Sequence, residues 1–194
     1  MMIDRCQFLS RESPLLVPDR TTIGVNCNGN DIKIRNCRCN FFKHFAILAG
    51  SSSIIMGNHC FQGDSADPGP RSAIFVLART NNRGTITGNY ICDGSVEWTN
   101  EYDEAPDFSS EFSFSALSIT SNVFLSQSTA PSFNFLIVKP YGPGHFINGL
   151  TVTGVVGRVF LVNAALAVLV RHHRVDLGHA ATIVTARKRG SPRP

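Results

Sequence analysis

Ile86-Thr87-Gly88-Asn89-Tyr90-Ile91, near the middle of the 194-residue chain, is the segment on which the fold turns, because it has counterparts on both sides. Ile3-Asp4-Arg5-Cys6-Gln7-Phe8, Ile34-Arg35-Asn36-Cys37-Arg38-Cys39 and Ile55-Met56-Gly57-Asn58-His59-Cys60 precede it. Ile119-Thr120-Ser121-Asn122-Val123-Phe124 follows, and Val152-Thr153-Gly154-Val155 opens a further copy that breaks down at Gly157. The intervals between copies are 31, 21, 31, 33 and 33 residues. Self-similarity on this scale marks stacked repeats, each too small to bury its apolar face alone.

Within a copy the pattern is that of short strands. Ile32, Leu117 and Leu150 stand two places before the Ile or Val column, the period-2 alternation of a half-buried strand, and a Gly, Ser or Asn follows as a turn. Further apolar runs, Ala46-Ile47-Leu48, Ile74-Phe75-Val76-Leu77 and Phe135-Leu136-Ile137-Val138, add another strand to several repeats. Residues 1–154 show no helical periodicity. Short strands recurring every 20–35 residues without helices between them predict an all-β solenoid.

These segments resemble the I-x-I-x-G-N-x-F rungs of right-handed parallel β-helix repeat proteins of the pectate-lyase-like superfamily, over about residues 3–154. Gly57–Asp64, Glu97-Trp98-Thr99-Asn100-Glu101 and Lys139-Pro140-Tyr141-Gly142-Pro143-Gly144-His145 are similar to stretches of bacterial members of that group. The resemblance implies a right-handed parallel β-helix. It does not imply one reaction, because the fold hosts lyases, hydrolases, phage tailspikes and adhesins. The Asn-Thr-Asp, Asp-Asp, Gly-His-Gly and Arg-Ile-Lys signatures of polygalacturonase-type hydrolases are missing, and no residue matches the pectate-lyase arginine base.

Charge divides the chain in two. Residues 1–154 hold 11 basic and 13 acidic residues, whereas residues 155–194 hold 7 basic residues and one acid, Asp176. The expected organisation is therefore an incomplete β-helix over 1–154 and an irregular or helical Ala/Val/Arg-rich tail over 155–194, non-native or disordered, with the whole chain a fragment of a longer protein. Uncapped terminal repeats on such a fragment predict self-association through exposed strand edges. The tail's basic residues lack interleaved aromatics, which argues against nucleic acid as partner. The apolar run Val159–Val170 contains Asn163 and is shorter than the roughly 20 residues of a membrane span. The start MMIDRCQFLSRESPLL lacks the apolar stretch of a secretory signal, and no compartment follows from it. No Walker A loop, GxGxxG or GxSxG occurs, so nucleotide chemistry is not expected.

The repeat also accounts for residues that would otherwise suggest chemistry. Asn58, Asn89 and Asn122 share one column and are expected to hydrogen-bond between repeats. Cys6 and Cys37 fall in that same column, and Cys39 and Cys60 fall in the apolar column of Phe8, Ile91 and Phe124, so they read as small, buried, reduced packing residues. His44, His59 and His145 lack any metal-protease spacing and read as structural.

Chemistry is expected in the longer insertions. Asp93 to Glu111 carries seven carboxylates and no Lys, Arg or His, around Trp98 and Tyr102. Such a segment is either a solvated acidic loop, a general acid and base pair for glycoside hydrolysis, or a Ca²⁺ site bridging to an acidic sugar. Arg71, Arg79, Arg83 and Lys139 lie in adjacent repeats and can offset its charge. The Lys139–His145 loop supplies a cation, a phenol and an imidazole on a backbone stiffened by two prolines, or else a rigid corner; Gln62–Pro70 is Asp- and Gly-rich without an EF-hand pattern. The candidate catalytic residues are Glu97, Asp103, Lys139 and His145, and the candidate sugar platforms are Trp98, Tyr102 and Tyr141. Ca²⁺ is the only cofactor this reading admits, and no metal ligand is assigned. The expected function is polysaccharide recognition with cleavage as a lyase or glycoside hydrolase; the alternative is a non-catalytic structural or adhesive solenoid.

Overall fold

The isoleucine column of the sequence is a physical column in the structure. The computed structural model describes residues 1–12, 20–62, 73–78, 83–99, 113–125, 135–139, 146–148, 150–155, 170–171 and 174–176. Within them the chain is all-β, with no helix. The first repeat supplies β1 (Met2–Asp4), β2 (Gln7–Leu9) and β3 (Ile23–Cys27), and the second supplies β4 (Lys33–Arg35), β5 (Arg38–Asn40) and β6 (His44–Leu48). The third gives β7 (Ile54–Met56), β8 (His59–Phe61) and β9 (Ala73–Leu77), and the fourth β10 (Thr85–Thr87), β11 (Tyr90–Cys92) and β12 (Ser95–Thr99). Then come β13 (Ser113–Ser115), β14 (Ser118–Thr120), β15 (Val123–Leu125) and β16 (Leu136–Lys139), and finally β17 (Phe146–Asn148), β18 (Thr151–Thr153), β19 (Val170–Arg171) and β20 (Arg174–Asp176).

Each strand pairs in parallel with its counterpart one repeat away. The first sheet runs β1-β4-β7-β10-β14-β18-β20, the second β2-β5-β8-β11-β15, the third β3-β6-β9-β12-β16, and a small fourth β13-β17-β19. In the first sheet the register sets Ile3 beside Ile34, Ile34 beside Ile55, Ile55 beside Ile86, Ile86 beside Ile119 and Ile119 beside Val152. In the second, Phe8, Cys39, Cys60, Ile91 and Phe124 align in the same way. From Ile34 to Val152, and from Cys39 to Phe124, every member of these two files is buried. A three-residue strand presents one side chain inward, so the file of central residues is what each repeat contributes to the core, about 1.5–3 kcal/mol for each large aliphatic side chain.

The third sheet completes the interior. Phe45, Phe75, Leu48, Leu77 and Trp98 are all fully buried, and the Phe45 and Phe75 rings meet edge to face at 5.9 Å. These sheets are parallel and largely covered inside, which explains strands as apolar as Ala73-Ile74-Phe75-Val76-Leu77, buried at every position.

Sharp bends separate the first and second sheets, and the backbone at each is left-handed. Arg5, Asn36 and Ser121 have φ of 53°, 54° and 54°, and Gly57, Gly88 and Gly154 have 64°, 63° and 59°. All six occupy one column of the repeat. A second left-handed column lies three places before the isoleucines, at Asp31, Ser52, Arg83 and Ala116. Glycine therefore fills three of the six places in the first column without being required there, Arg5, Asn36 and Ser121 taking the others, and the four residues of the second column include no glycine.

The residue after the bend turns its amide inward. Asn58 Oδ1 accepts from Cys37 N–H, Asn89 Oδ1 from Asn58 N–H and Asn122 Oδ1 from Asn89 N–H, each at 2.9 Å. Their Nδ2 groups donate to the carbonyls of Ile34, Ile55 and Ile86 at 3.0, 3.1 and 2.8 Å. This satisfies polar backbone that the bend would otherwise leave buried and unpaired. Gln62 works similarly elsewhere, with Oε1 accepting from Phe42 N–H and from Arg20 Nη1 while Nε2 donates to Phe42 O.

Only a few residues of the 155–194 tail are described. Beyond Val155, residues 170–171 and 174–176 are described, and they form short strands: β19 pairs with β17, and β20 pairs with β18 so that Val175 lies beside Val152. Parallel pairing propagates here because the free edge of β18 offers hydrogen bonds to any extended segment of matching pattern, and Arg174-Val175-Asp176 repeats the polar-apolar-polar alternation of Thr151-Val152-Thr153.

Candidate functional site

Glu97 is the candidate whose surroundings are best defined. It lies on β12, with Val76 of β9 and Ile137 of β16 as its register neighbours. Strand alternation buries Val96 and Trp98 on the inner side and leaves Glu97 half-buried. The same file continues through Val76 to Ile47, which pack with Ala73 and Ala78 into a small apolar cluster separate from the main core. A carboxylate at this point is held on a rigid strand at the margin of apolar surface, where it can act as a hydrogen-bond acceptor or proton acceptor.

Lys139 ends β16 and pairs with Thr99 of β12, so its backbone lies one strand over and two register positions along from Glu97. The fold thus brings these two candidates into adjacent strands. Tyr102, Asp103, Tyr141 and His145 lie outside the described residues, as do residues 100–112 and 63–70 of the loops singled out in the sequence. Asp93, counted with the acidic stretch, is fully buried at a left-handed bend with φ of 56°.

Trp98 requires a correction. A sugar platform needs one open ring face, and Trp98 is fully buried in the main core, between the positions of Leu77 and Val138. The sequence neighbourhood of carboxylates suggested a surface role; the strand alternation turns the indole the other way. The cysteines are all free thiols. Cys37, Cys39 and Cys60 are buried as expected, but Cys6 is exposed; of the other two, Cys92 is buried and Cys27 half-buried. Burial pushes the Cys39 thiol well above the ordinary cysteine range, which makes it a packing group rather than a nucleophile. His44 is structural, with Nδ1 2.7 Å from Ala73 O. Among the described residues no three His, Cys, Asp or Glu side chains gather to hold a metal, and no helix is long and apolar enough to cross a membrane.

A further group was not singled out from the sequence. The outward column of the second sheet reads Gln7, Arg38, His59, Tyr90 and Val123, and its first four members are exposed. His59 and Tyr90 meet edge to face with centroids 5.0 Å apart. The signal was present in the repeat alignment, as the variable position between the Asn and apolar columns. No family model matches the chain, and no curated protein or solved structure matches it significantly.

Proposed function

We propose that the chain is a right-handed parallel β-helix that recognises a polysaccharide and cleaves it as a lyase or glycoside hydrolase. The observation that carries the reading is the in-register stacking of Ile34, Ile55, Ile86, Ile119 and Val152 in one buried file, which makes each repeat one rung of a rigid support. A long glycan matches such a support because both repeat along one axis. Glu97 is the proposed proton acceptor, with Asp103, Lys139 and His145 as the other acid-base and charge-stabilising groups and Tyr102 and Tyr141 as sugar contacts. Ca²⁺ held by carboxylates of the 93–111 stretch would bridge to an acidic sugar.

The second reading is a non-catalytic structural or adhesive β-helix, and the burial of Trp98 speaks for a structural role by removing one of the candidate sugar platforms. A panel of polygalacturonate, alginate and neutral glycans, each with and without Ca²⁺, tests both. Release of unsaturated or reducing ends that falls at least about a hundredfold in E97Q supports the enzyme. Binding without release supports the module, and neither binding nor release overturns the polysaccharide reading.

A further inference from the structure

The bend column that carries Asn58, Asn89 and Asn122 begins with two thiols, Cys6 and Cys37. The pairing on both sides of the bend sets them opposite each other: Asp4 stands beside Arg35 on β1 and β4, and Gln7 beside Arg38 on β2 and β5. Hydrogen bonds continue through the bend itself, from Arg5 N–H to Arg35 O at 3.2 Å and from Arg38 N–H to Cys6 O at 2.9 Å. The two Cα atoms are therefore one strand spacing apart, about 4.8 Å, inside the roughly 4.4–6.8 Å that a disulfide spans. Cys37 Sγ lies 3.2 Å from Arg35 O and 4.0 Å from Ile3 O, so the buried thiol leans out of its own repeat toward the first. Cys6 Sγ sits 3.3 Å from Asp4 O and is exposed, which leaves it room to turn. The amide ladder ends at this pair. Asn58 accepts from Cys37 N–H, but Cys37 has no amide to offer Cys6, and a thiol is only a weak donor and acceptor. β1 and β2 are also the end members of the first and second sheets, paired on one side only among the described residues.

We propose that Cys6 and Cys37 are a dithiol that a low-molecular-weight disulfide oxidises to a covalent link between the first and second repeats. The exposed Cys6 thiolate attacks the reagent, breaks its S–S bond and releases one thiolate, leaving a mixed disulfide on Cys6. Cys37 then loses its proton to solvent and attacks Cys6 Sγ, which expels the second thiolate and closes the Cys6–Cys37 bond. Two cysteines are oxidised, and one disulfide is reduced to two thiols. Exposure sets this order. Burial pushes the Cys37 thiol above its ordinary range, so it reacts with a sulfur delivered beside it rather than with a reagent from solution. The two residues are 31 positions apart, and the link restricts the unfolded chain between them. Cys39 and Cys60 also stand in register, but both are fully buried in the apolar file. They stay reduced, because no reagent reaches either without local opening.

The test uses the full chain, reduced, freed of reductant and then incubated in its folded state with oxidised glutathione. Remaining thiols are alkylated, and trypsin is added without reductant. Cleavage after Arg5, Arg35 and Arg38 places Cys6 and Cys37 on different peptides and separates Cys37 from Cys39. Mass spectrometry is expected to find the Cys6 and Cys37 peptides joined. The oxidised chain should unfold at a higher urea midpoint, and dithiothreitol should reverse the shift. C37S should stop at glutathione held on Cys6, whereas C6S should give neither the joined peptide nor the midpoint shift. Circular dichroism checks that each variant folds, and the exposure of Cys6 lets the C6S result stand should C37S fail to fold. Three results would each overturn the proposal: all six thiols free after the incubation, glutathione retained on Cys6 of the wild type, or a joined peptide in which Cys39 or Cys60 replaces Cys37.

Discussion

Asn89 Oδ1 accepts two hydrogen bonds from Asn58, one from the backbone N–H and one from the side-chain Nδ2, both at 2.9 Å. Each amide in this column therefore accepts from the repeat before it while donating to a carbonyl of that same preceding repeat, as Asn89 Nδ2 does to Ile55 O at 3.1 Å. The three asparagines are buried to within 1%. Removing one leaves buried donors and acceptors without partners, each at about 1–3 kcal/mol. N89A should accordingly lose about 2–5 kcal/mol in urea unfolding, and N89D as much or more, because a carboxylate cannot donate to Ile55 O. A loss below about 0.5 kcal/mol in both would mean that water replaces the ladder.

The left-handed bends differ in how tightly they are packed. A Cβ added to Gly57 would sit 2.7 Å from Asn36 Oδ1, whereas one added to Gly88 would meet nothing closer than 4.0 Å. Both residues have φ near +64°, so alanine at either carries the left-handed cost of about 1–2 kcal/mol. G57A should be the more destabilising, since Asn36 must also move. Equal urea midpoints for the two variants would show that Asn36 yields freely.

The architecture was legible because it depends on inward residues that recur at matching places. Ile34, Ile55 and Ile86 and the asparagines after them are constrained by one column each, and a column survives loops of any length between its members. The candidate site was less legible. Glu97 and Trp98 are neighbours in sequence but lie on opposite faces of β12, and only the strand's phase, set by Val96 and Trp98 turning inward, decides which of them meets solvent. The outward file of Arg38, His59 and Tyr90 was hidden for the opposite reason: its members share position and exposure but no residue type.

Glu12 is tied to Thr21 and Thr22 by hydrogen bonds. Its Oε2 accepts from Thr21 N–H and Thr22 N–H, and its Oε1 from the Thr21 hydroxyl, all at 2.8 Å. The Thr22 backbone N–H is the largest cause, with the Thr22 hydroxyl and both Thr21 donors adding to it, and together they push the carboxyl from an ordinary 4.5 down to about 2. A folded pKa below the unfolded one means this contribution to stability is complete above about pH 4.5 and disappears as pH falls through about 2. The Glu12 carboxyl carbon should titrate in NMR with a midpoint near 2. A midpoint near 4.5 would show that the three contacts do not persist in solution.

Thiol exposure differs sharply along the stack. Cys6 is exposed, whereas Cys39 and Cys60 are fully buried register neighbours on β5 and β8. Iodoacetamide on the native chain should modify Cys6 first, with Cys39, Cys60 and Cys92 protected until the chain unfolds. C39S should lose about 1–3 kcal/mol by burying a hydroxyl in an apolar file, and C39V should be nearly neutral. Early labelling of Cys39 at native conditions would mean that the file opens locally.

Trp98 provides the sharpest contrast between a core and a ligand-binding role, since it is the chain's single tryptophan and reports on itself. Full burial predicts blue-shifted emission, weak quenching by acrylamide and no change on adding polygalacturonate or neutral glycans. W98A should cost about 3–5 kcal/mol, the range for deleting a large buried aromatic ring, and W98F a smaller amount. A sugar platform would behave in the reverse way on each count. Its ring would be readily quenched, its emission would shift with glycan, and its removal would weaken binding while leaving the urea midpoint in place. The packing of Trp98 beside Leu77 and Val138 favours the first set, because an indole that fills the interior of the third sheet cannot turn outward without leaving a cavity among its neighbours.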